Sequence, residues 1–262
     1  MVVLQVIGGG RMGEALVGGL LSAGGQRLDG LRIVESDPAR LSALHSAFPG
    51  VDLVAEPGEA EGNIIAVKPG DVPTACRALA AIGPTRVLSI AAGVTIAALE
   101  ADLAPGSRVV RAMPNTAALV GVGAAAISAG TDATDDDLAW AESILGAVGT
   151  VVRVPESLLD AVTGLSGSGP AYVFLVAEAL IEAGVLAGLP REVSQALSIQ
   201  TLLGAATLLA QGSDGPEALR AAVTSPAGTT AAGLQTLEQR GVRAAFLDAV
   251  AAATERSRQL GQ

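Results

Sequence analysis

The chain has 262 residues, which is enough for one large domain or two ordinary domains with a hydrophobic core each. Half of the residues are hydrophobic but only 2% are aromatic, so Ala, Val and Leu must fill the core. The formal net charge of −10, without a block of basic residues, argues against nucleic acid and anionic membrane surfaces as partners. One cysteine, Cys76, excludes an internal disulfide framework and fits a reducing compartment. No secretory leader pattern precedes the first strand, so we expect a cytoplasmic protein.

Short apolar segments alternate with segments of helical spacing through the first 155 residues. We predict strands at 2–7, 31–35, 51–54, 63–67, 86–91, 108–113, 121–128 and 150–154. We predict helices at 11–23, 38–48, 71–81, 96–103 and 134–146, the last capped by Thr134. This alternation is typical of an α/β fold of the Rossmann type, a doubly wound and mostly parallel sheet covered on both faces. We assign residues 1–155 to this dinucleotide-binding domain.

From residue 156 onward the sequence contains no convincing strand, and we assign residues 156–262 to an all-helical domain for dimerisation and substrate binding. Its predicted helices cover 156–163, 170–187, 191–210, 216–223, 229–239 and 242–259. The helix at 170–187 follows a polar, glycine-rich turn and is apolar nearly all round, which indicates burial on more than one side. Its two glutamates, Glu178 and Glu182, argue against a membrane span, so we expect it to pack against a partner chain.

The glycines that follow the first strand have the spacing of a dinucleotide-binding turn. In GGGRMG, Gly8, Gly10 and Gly13 match G-x-G-x-x-G, and a helix follows directly. The first glycine makes the tight turn, the second lets the backbone approach a pyrophosphate, and the third lets helix and strand pack closely. Arg11 and Met12, within the same turn, are included among the candidate cofactor contacts. The alternative is a tight strand–helix turn without a ligand.

Glu35 ends the second predicted strand, where an acidic side chain accepts hydrogen bonds from the ribose of NAD and repels the 2′-phosphate of NADP. This favours NADH over NADPH, with use of both left open. In the alternative, Glu35 points to solvent and Arg40 or Ser36 binds the phosphate.

Three further turns follow predicted strands at the edge of the sheet where a ligand is expected. They supply the remaining candidate cofactor contacts: Ala66, Lys68 and Pro69 in the first turn, Ala92 and Gly93 in the second, and Met113 and Asn115 in the third. Lys68 is equally well explained as a solvated loop residue, and the Asn115 amide as an ordinary turn bond.

Catalytic groups of the usual kinds are scarce. His45 and Cys76 are best explained as ordinary helix residues, and no cluster of metal ligands is present, so we expect no metal. Gly164, Gly167 and Gly169 resemble a turn of the β-hydroxyacid dehydrogenases, which carry a catalytic lysine four residues later. That position is Val173 here. Oxidation of an alcohol needs a proton acceptor, whereas a protonated C=N bond already carries its charge, so the pattern favours imine chemistry.

The segment VTSPAGTT, residues 223–230, predicts an anion site in the helical half. Ser225 and Pro226 break one helix, and Gly228, Thr229 and Thr230 begin the next. A helix start with free N–H groups and two hydroxyls suits a small carboxylate. The alternative is plain capping of the helix by Thr229.

These segments together resemble pyrroline-5-carboxylate reductases. The resemblance rests on LSGSGPAYVF (165–174) and VTSPAGTT (223–230), with GGGRMG, AVKPG, SIAAGVT and RAMPNTAALVGVGA (111–124) in the same order and spacing, and it covers essentially the whole chain. It implies a Rossmann domain followed by a helical dimerisation domain, and homodimers that often assemble into rings of dimers.

The resemblance also implies hydride transfer from NADH or NADPH to C5 of 1-pyrroline-5-carboxylate, giving L-proline in the last step of proline synthesis. By matching position, Ser225, Gly228 and Thr229 would bind the substrate carboxylate. Thr230 would lie near the ring nitrogen as the catalytic residue. The nicotinamide would lie near Ala92, Gly93, Met113 and Asn115. Competing hypotheses are a related imine or β-hydroxyacid reductase, and a dinucleotide-binding regulatory protein without turnover.

Overall fold

The computed structural model describes residues 2–22 and 30–261. The chain divides into two compact units, one made of Met1–Ser168 with Ala251–Gln262 and the other of Gly169–Val250. The domain boundary predicted after residue 155 follows the change in residue pattern and stays a prediction. Residues 156–163 are helical, as that pattern predicts, but they belong to the first compact unit.

Eight strands of the described residues form one sheet. They are β1 (Leu4–Ile7), β2 (Leu31–Val34), β3 (Asp52–Val54), β4 (Gly62–Ile65), β5 (Arg86–Ser89), β6 (Arg108–Met113), β7 (Gly123–Ala129) and β8 (Gly149–Arg153). Their order in the sheet is β3-β2-β1-β4-β5-β6-β7-β8. All neighbours pair in parallel except β6 and β7, which are antiparallel. The first six strands have the Rossmann order, so the predicted fold class is confirmed.

Helices of the first unit lie on both faces of the sheet. They are α1 (Arg11–Ser22), α2 (Pro38–Ala47), α3 (Val72–Ala80), α4 (Ile96–Asp102), α5 (Asp135–Leu145) and α6 (Leu159–Val162). One buried cluster joins Leu16 of α1 and Ile144 of α5 to the sheet, and a second joins Leu79 of α3 and Leu99 of α4 to it. The predicted end of α1 at Ala23 lies outside the described residues.

The start of α5 carries a buried carboxylate. Thr134 and Asp137 form a capping box, as the sequence indicates for Thr134, but Asp137 is fully buried instead of lying at the surface. Its Oδ1 accepts hydrogen bonds from Arg86 Nε at 2.6 Å and lies 3.3 Å from Arg108 NH1. The Arg86 guanidinium in turn lies 5.3 Å from the centre of the Trp140 ring. These contacts tie β5 and β6 to the helix that covers them.

The second unit consists of helices. They are α7 (Gly169–Leu186), α8 (Arg191–Gln211), α9 (Pro216–Ala222), α10 (Thr229–Gln239) and the first part of α11 (Val242–Leu260). The residue ranges agree with the predicted helices to within one or two positions. By length and composition alone, Glu156–Leu186 and Arg191–Gln211 are apolar enough to cross a membrane, with mean hydropathies of 1.5 and 1.4.

The glycine-rich segment before α7 is helical, which differs from the expected polar turn. Thr163–Gly167 form a π-helical turn, and the Ser168 N–H donates to the carbonyl of Thr163 at 2.8 Å. At Gly167 an added Cβ would lie 2.7 Å from Met113 Cε, so the side chain of Met113 occupies the space that the absent side chain leaves. Gly167 therefore allows close packing against Met113, and the glycines do not break the helical segment.

Candidate active site

The turn after β1 adopts the backbone that its glycine spacing predicts. Gly8 has φ +105°, and a Cβ there would lie 2.7 Å from the Ala66 carbonyl oxygen. A Cβ at Gly13 would lie 2.2 Å from the Gly8 carbonyl oxygen, so α1 packs on the turn only because residue 13 is glycine. A Cβ at Gly10, in contrast, would meet nothing within 4 Å. Open space over Gly10, beside the first N–H groups of α1, is the cradle that a pyrophosphate requires, so these residues fit a dinucleotide.

Glu35 is held against this turn by backbone amides. Its Oε2 accepts a hydrogen bond from Gly9 N at 3.1 Å, and its Oε1 accepts from Ser36 N at 2.8 Å and Asp37 N at 2.9 Å. A carboxylate offers about four acceptor positions, so one remains for a ligand hydroxyl. Glu35 therefore does not point freely to solvent, and its negative charge is fixed at the carboxyl end of β2.

Arg40 of α2 is also bonded to this turn, through the Gly9 carbonyl. Its Nε donates to the Gly9 carbonyl oxygen at 2.5 Å, and its NH2 group pairs with Glu14 of α1. The guanidinium that the alternative assigned to a 2′-phosphate is therefore already bound to protein groups. Sequence reasoning named Arg40 only as a phosphate ligand and did not anticipate that it braces the glycine turn.

The turns after β4 and β5 lie at the same edge of the sheet. Ala66 N donates to the Ile7 carbonyl at 2.8 Å, which sets the turn of residues 66–69 beside the glycine turn, with Lys68 and Pro69 exposed. After β5, Ala92 is exposed and Gly93 has φ +76°. A Cβ at Gly93 would lie 3.6 Å from the Leu260 carbonyl oxygen, so the C-terminal end of α11 contacts this turn.

Asn115, after β6, is bonded to protein through both ends of its amide. Its Nδ2 donates to the Ser166 carbonyl at 3.0 Å, and its Oδ1 accepts from Ala124 N at 3.1 Å. Met113, which precedes it, packs against Gly167. The Asn115 amide therefore orders this turn through bonds to distant residues, instead of the local turn bond that the alternative predicted. It retains one donor hydrogen and one acceptor lone pair.

The second unit contains the segment predicted to bind an anion. Gly228 N donates to the Ser225 carbonyl at 3.1 Å, which closes a turn in which Ala227 has φ +58°. Gly228 is the N-cap residue of α10, and no side chain caps the helix. The alternative in which Thr229 caps α10 is therefore wrong, because Thr229 is already the first helical residue. A Cβ at Gly228 would lie 2.3 Å from Ser225 Oγ, so the serine hydroxyl lies at the helix start.

His45, Cys76 and Val173 are not candidate catalytic residues, and the structure has each of them within a helix. His45 is exposed on α2, and Val173 is about half exposed on α7. Cys76 is fully buried, and this burial, with a smaller effect of Asp102 and against that of Arg77, raises the pKa of its thiol to about 11. Within the described part of the chain, no group of three His, Cys, Asp or Glu side chains is arranged to hold a metal ion.

The structure thus brings Gly8–Gly13, Glu35, Ala66–Pro69, Ala92–Gly93 and Met113–Asn115 to one edge of the sheet in the first unit, and Ser225–Thr230 to one helix start in the second. The strand order and the glycine turn define a Rossmann-type dinucleotide-binding protein with a helical region after the sheet.

Comparisons with known proteins narrow this class. Residues 156–260 match the family described as pyrroline-5-carboxylate reductase dimerisation, and residues 3–93 match NADP oxidoreductase coenzyme F420-dependent. The chain is 42% identical to pyrroline-5-carboxylate reductase of Synechocystis sp., over 100% of this chain and 99% of that protein. It is 43% identical to that of Methanosarcina acetivorans, over 98% and 97%.

Solved structures of pyrroline-5-carboxylate reductases are also similar to this chain. The pyrroline-5-carboxylate reductase of Coxiella burnetii superposes with a TM-score of 0.94 at 36% identity, covering 100% of this chain and 99% of that one. A Plasmodium falciparum pyrroline carboxylate reductase with NADP bound gives 0.84 at 28% identity, covering 100% and 98%. The chain belongs to the pyrroline-5-carboxylate reductase family, which confirms the resemblance seen in its motifs. It carries a nicotinamide-dinucleotide site and a dimerisation region.

Proposed function

We propose that this protein reduces 1-pyrroline-5-carboxylate to L-proline, the last step of proline synthesis, with the substrate carboxylate bound at Ser225–Thr230. We assign these residues to the carboxylate because the start of α10 is uncapped and lies beside the Ser225 hydroxyl. N–H groups at a helix start, together with hydroxyl donors, favour an anion. The turn that presents them includes Ala227 in a backbone conformation rare for alanine, and such strain is concentrated at functional sites.

The chemistry requires little from acid–base groups of the protein. When bound, the nicotinamide cofactor supplies the hydride that C5 of the imine ring accepts. The chain must then hold the carboxylate, orient the ring and bind the nitrogen. We assign the carboxylate to Ser225, Gly228 and Thr229, and the ring nitrogen to the hydroxyl of Thr230. Val173, where a hydroxyacid dehydrogenase would have lysine, bears no group that accepts a proton, so a C=N substrate suits the site better than an alcohol.

Substitution of Thr230 tests this assignment. Thr230→Ala is expected to lower kcat about tenfold or more with 1-pyrroline-5-carboxylate and to leave the affinity for NADH nearly unchanged. Thr230→Ser, which keeps the hydroxyl, should recover most of the loss. Thr236→Ala on the same helix is the matched control, because the Thr236 hydroxyl bonds back to Ala232 of its own helix at 3.2 Å. Equal kinetics for Thr230→Ala and Thr236→Ala would contradict the role.

We also infer that NADH is preferred over NADPH. The carboxylate of Glu35 is fixed at the end of β2, and Arg40 is engaged by Gly9 and Glu14. A 2′-phosphate brought near Glu35 would be repelled, and one unit charge at a partly exposed site changes binding by about 1 kcal/mol or more. Glu35→Gln should therefore shift the ratio of kcat/KM for NADH to that for NADPH about tenfold towards NADPH. Glu61→Gln removes the same charge at the opposite edge of the sheet, and an identical ratio in both variants would refute the inference.

The helical unit supports assembly with a second copy of the chain. Along α7 and α8 large apolar side chains are exposed, among them Phe174, Leu175 and Leu203 at 63%, 65% and 59%. Such a surface on a single chain indicates a protein interface. We propose a homodimer as the smallest unit, and a ring of dimers as the larger assembly to which the family resemblance points. Size-exclusion chromatography with multi-angle light scattering separates monomer, dimer and ring by mass, and a monomer would contradict the proposal.

We propose that the protein is cytoplasmic and binds neither membrane nor nucleic acid. The exposed Glu178 and Glu182 on α7, with Glu182 paired to Arg191 at 2.9 Å, suit a watery or subunit-lined surface better than a lipid one. The net charge of −10 is unfavourable for phosphate backbones. Protein expressed without detergent should remain in the supernatant after ultracentrifugation of lysed cells. Sedimentation with the membranes would contradict the proposal.

A further inference from the structure

We propose that Glu156 is a positioning residue that holds two cofactor turns, residues 91–95 and 113–115, in a fixed relation to each other. The proposal rests on the assignment of these turns to the nicotinamide end of the cofactor. Glu156 has no part in the motifs that identify the family, and it follows the last strand of the sheet.

One carboxylate oxygen of Glu156 joins two elements of the first unit. Its Oε1 accepts a hydrogen bond from Ile96 N at 2.7 Å, and it also accepts from Arg111 NH1 at 2.7 Å. Ile96 is the first residue of α4, directly after the turn 91–95. Arg111 lies on β6, two residues before Met113. The carboxylate therefore connects the end of one turn to the strand that leads into the other.

The charge of Glu156 is needed because Arg111 is buried. The Arg111 side chain is only 8% exposed, whereas that of Glu156 is 33% exposed. A buried guanidinium without a counterion is strongly unfavourable, so Arg111 must move or admit water if the carboxylate is lost. Arg111 belongs to the strand that pairs with β5 at Ser89 and β7 at Ser128, so a displacement there is transmitted to the residues at the end of β6.

The other end of the cofactor site is built from different residues. The pyrophosphate and ribose candidates, Gly8–Gly13 and Glu35, are braced by Arg40 and Glu14 and have their own hydrogen bonds. Among the described residues, Glu156 is bonded to Ile96 and Arg111 and to none of these groups. Loss of its charge should therefore weaken recognition of the nicotinamide half and spare the adenosine half. A purely structural role would weaken both halves or neither.

Calorimetric titration with NAD⁺ and with ADP-ribose separates these possibilities. Glu156→Gln keeps an acceptor for Ile96 N and nearly the same volume, so the variant should fold, and its melting temperature is recorded alongside. We expect its affinity for NAD⁺ to fall about tenfold relative to that for ADP-ribose, which corresponds to about 1.4 kcal/mol lost in contacts of the nicotinamide half. The KM for NADH should rise with the same factor.

The control is Glu142→Gln, which removes a carboxylate of the same exposure, 33%, that pairs with Arg153 at 2.6 Å elsewhere in the same unit. It should leave both affinities unchanged. Equal losses of NAD⁺ and ADP-ribose affinity in Glu156→Gln, or no loss of either, would overturn the proposal. If the wild-type protein bound NAD⁺ but did not turn over 1-pyrroline-5-carboxylate, the proposed function would fail while the binding comparison still decided the role of Glu156.

Discussion

Replacement of Asp137 by Asn tests how the sheet and its covering helix are held together. The Asp137 side chain is fully buried and accepts hydrogen bonds at Oδ2 from the Thr134 N–H at 2.9 Å and the Thr134 hydroxyl at 2.8 Å. Its Oδ1 binds Arg86 and faces Arg108. Asparagine keeps the volume and one carbonyl acceptor but removes the charge that both guanidinium groups require.

The expected loss of stability depends on how far the Arg86 and Arg108 side chains are exposed to water. Breaking a buried ion pair by removal of one partner costs about 3–5 kcal/mol. The Arg86 and Arg108 side chains are 23% and 42% exposed, so water solvates them partly in the variant. We therefore expect a free energy of unfolding lower by about 2–3 kcal/mol, which corresponds to a melting temperature lower by roughly 4–12 °C for a unit of this size.

The difference in stability between wild type and Asp137→Asn should decrease at low pH. Burial alone would raise the pKa of Asp137, but the hydrogen bonds from Thr134 and the charges of Arg108 and Arg86 outweigh it and lower the pKa below its ordinary value. A carboxyl whose pKa is lowered by folding contributes stability above its unfolded pKa of about 3.9, and this contribution is lost as the pH falls through the folded pKa. The difference between wild type and Asp137→Asn should therefore be constant near pH 7 and shrink below about pH 4.

Thermal unfolding at fixed protein concentration, followed by circular dichroism, measures this difference. Asp136→Asn is the matched control, because Asp136 is the exposed neighbour in the same helical turn. It loses only the favourable charge near the helix start, about 0.3–1 kcal/mol. Equal melting temperatures for the two variants at pH 7 would refute the assignment of a buried ion-pair network.

Three further predictions concern the glycine turn, the strained residue Ala227 and the buried Cys76. Gly10→Ala should keep the melting temperature within about 2 °C, because its Cβ meets nothing, yet weaken NADH binding in titrations. Gly13→Ala should lower both, and unchanged NADH affinity in Gly10→Ala would contradict the pyrophosphate cradle. Ala227→Gly should raise the free energy of unfolding by about 0.5–1 kcal/mol by relieving φ +58°, whereas Ala232→Gly within α10 should lower it by about 1 kcal/mol. Cys76 should resist a thiol reagent at pH 8 until the protein is denatured, because it is buried and its pKa is raised to about 11; rapid labelling of the native protein would contradict its burial.

Much of the fold was predictable because its signals are local. β6 coincides with the predicted range 108–113, and α10 with 229–239, since apolar runs and glycine or proline at the ends mark both. The antiparallel direction of β7 was not predicted, although the connection from β6 is too short for the crossover that parallel strands require. The π-helical turn at Thr163–Gly167 was missed because glycine and serine indicate a turn unless packing against Met113 is known.

The parts of the candidate site whose backbone a sequence motif specifies were predictable. The parts whose geometry depends on contacts between distant residues were less so. The glycine turn and Glu35 lie where the spacing places them. The brace formed by Arg40, the bonds of Asn115 to Ser166 and Ala124, and the pair of Glu156 with Arg111 join residues far apart in the chain. The spacing of residue types along the sequence does not indicate which distant residues pair. The positive φ of Ala227 was also hidden, because the sequence has alanine where glycine would have signalled it.

This chain reduces a cyclic imine by hydride transfer from a nicotinamide cofactor. The most direct measurement follows absorbance at 340 nm (the reduced nicotinamide band) with 1-pyrroline-5-carboxylate and either NADH or NADPH, and quantifies proline in the same samples. We expect cofactor to be oxidised and proline to be formed in equal amounts, with the higher kcat/KM for NADH. Absence of proline with both cofactors, from protein that binds NADH, would contradict it.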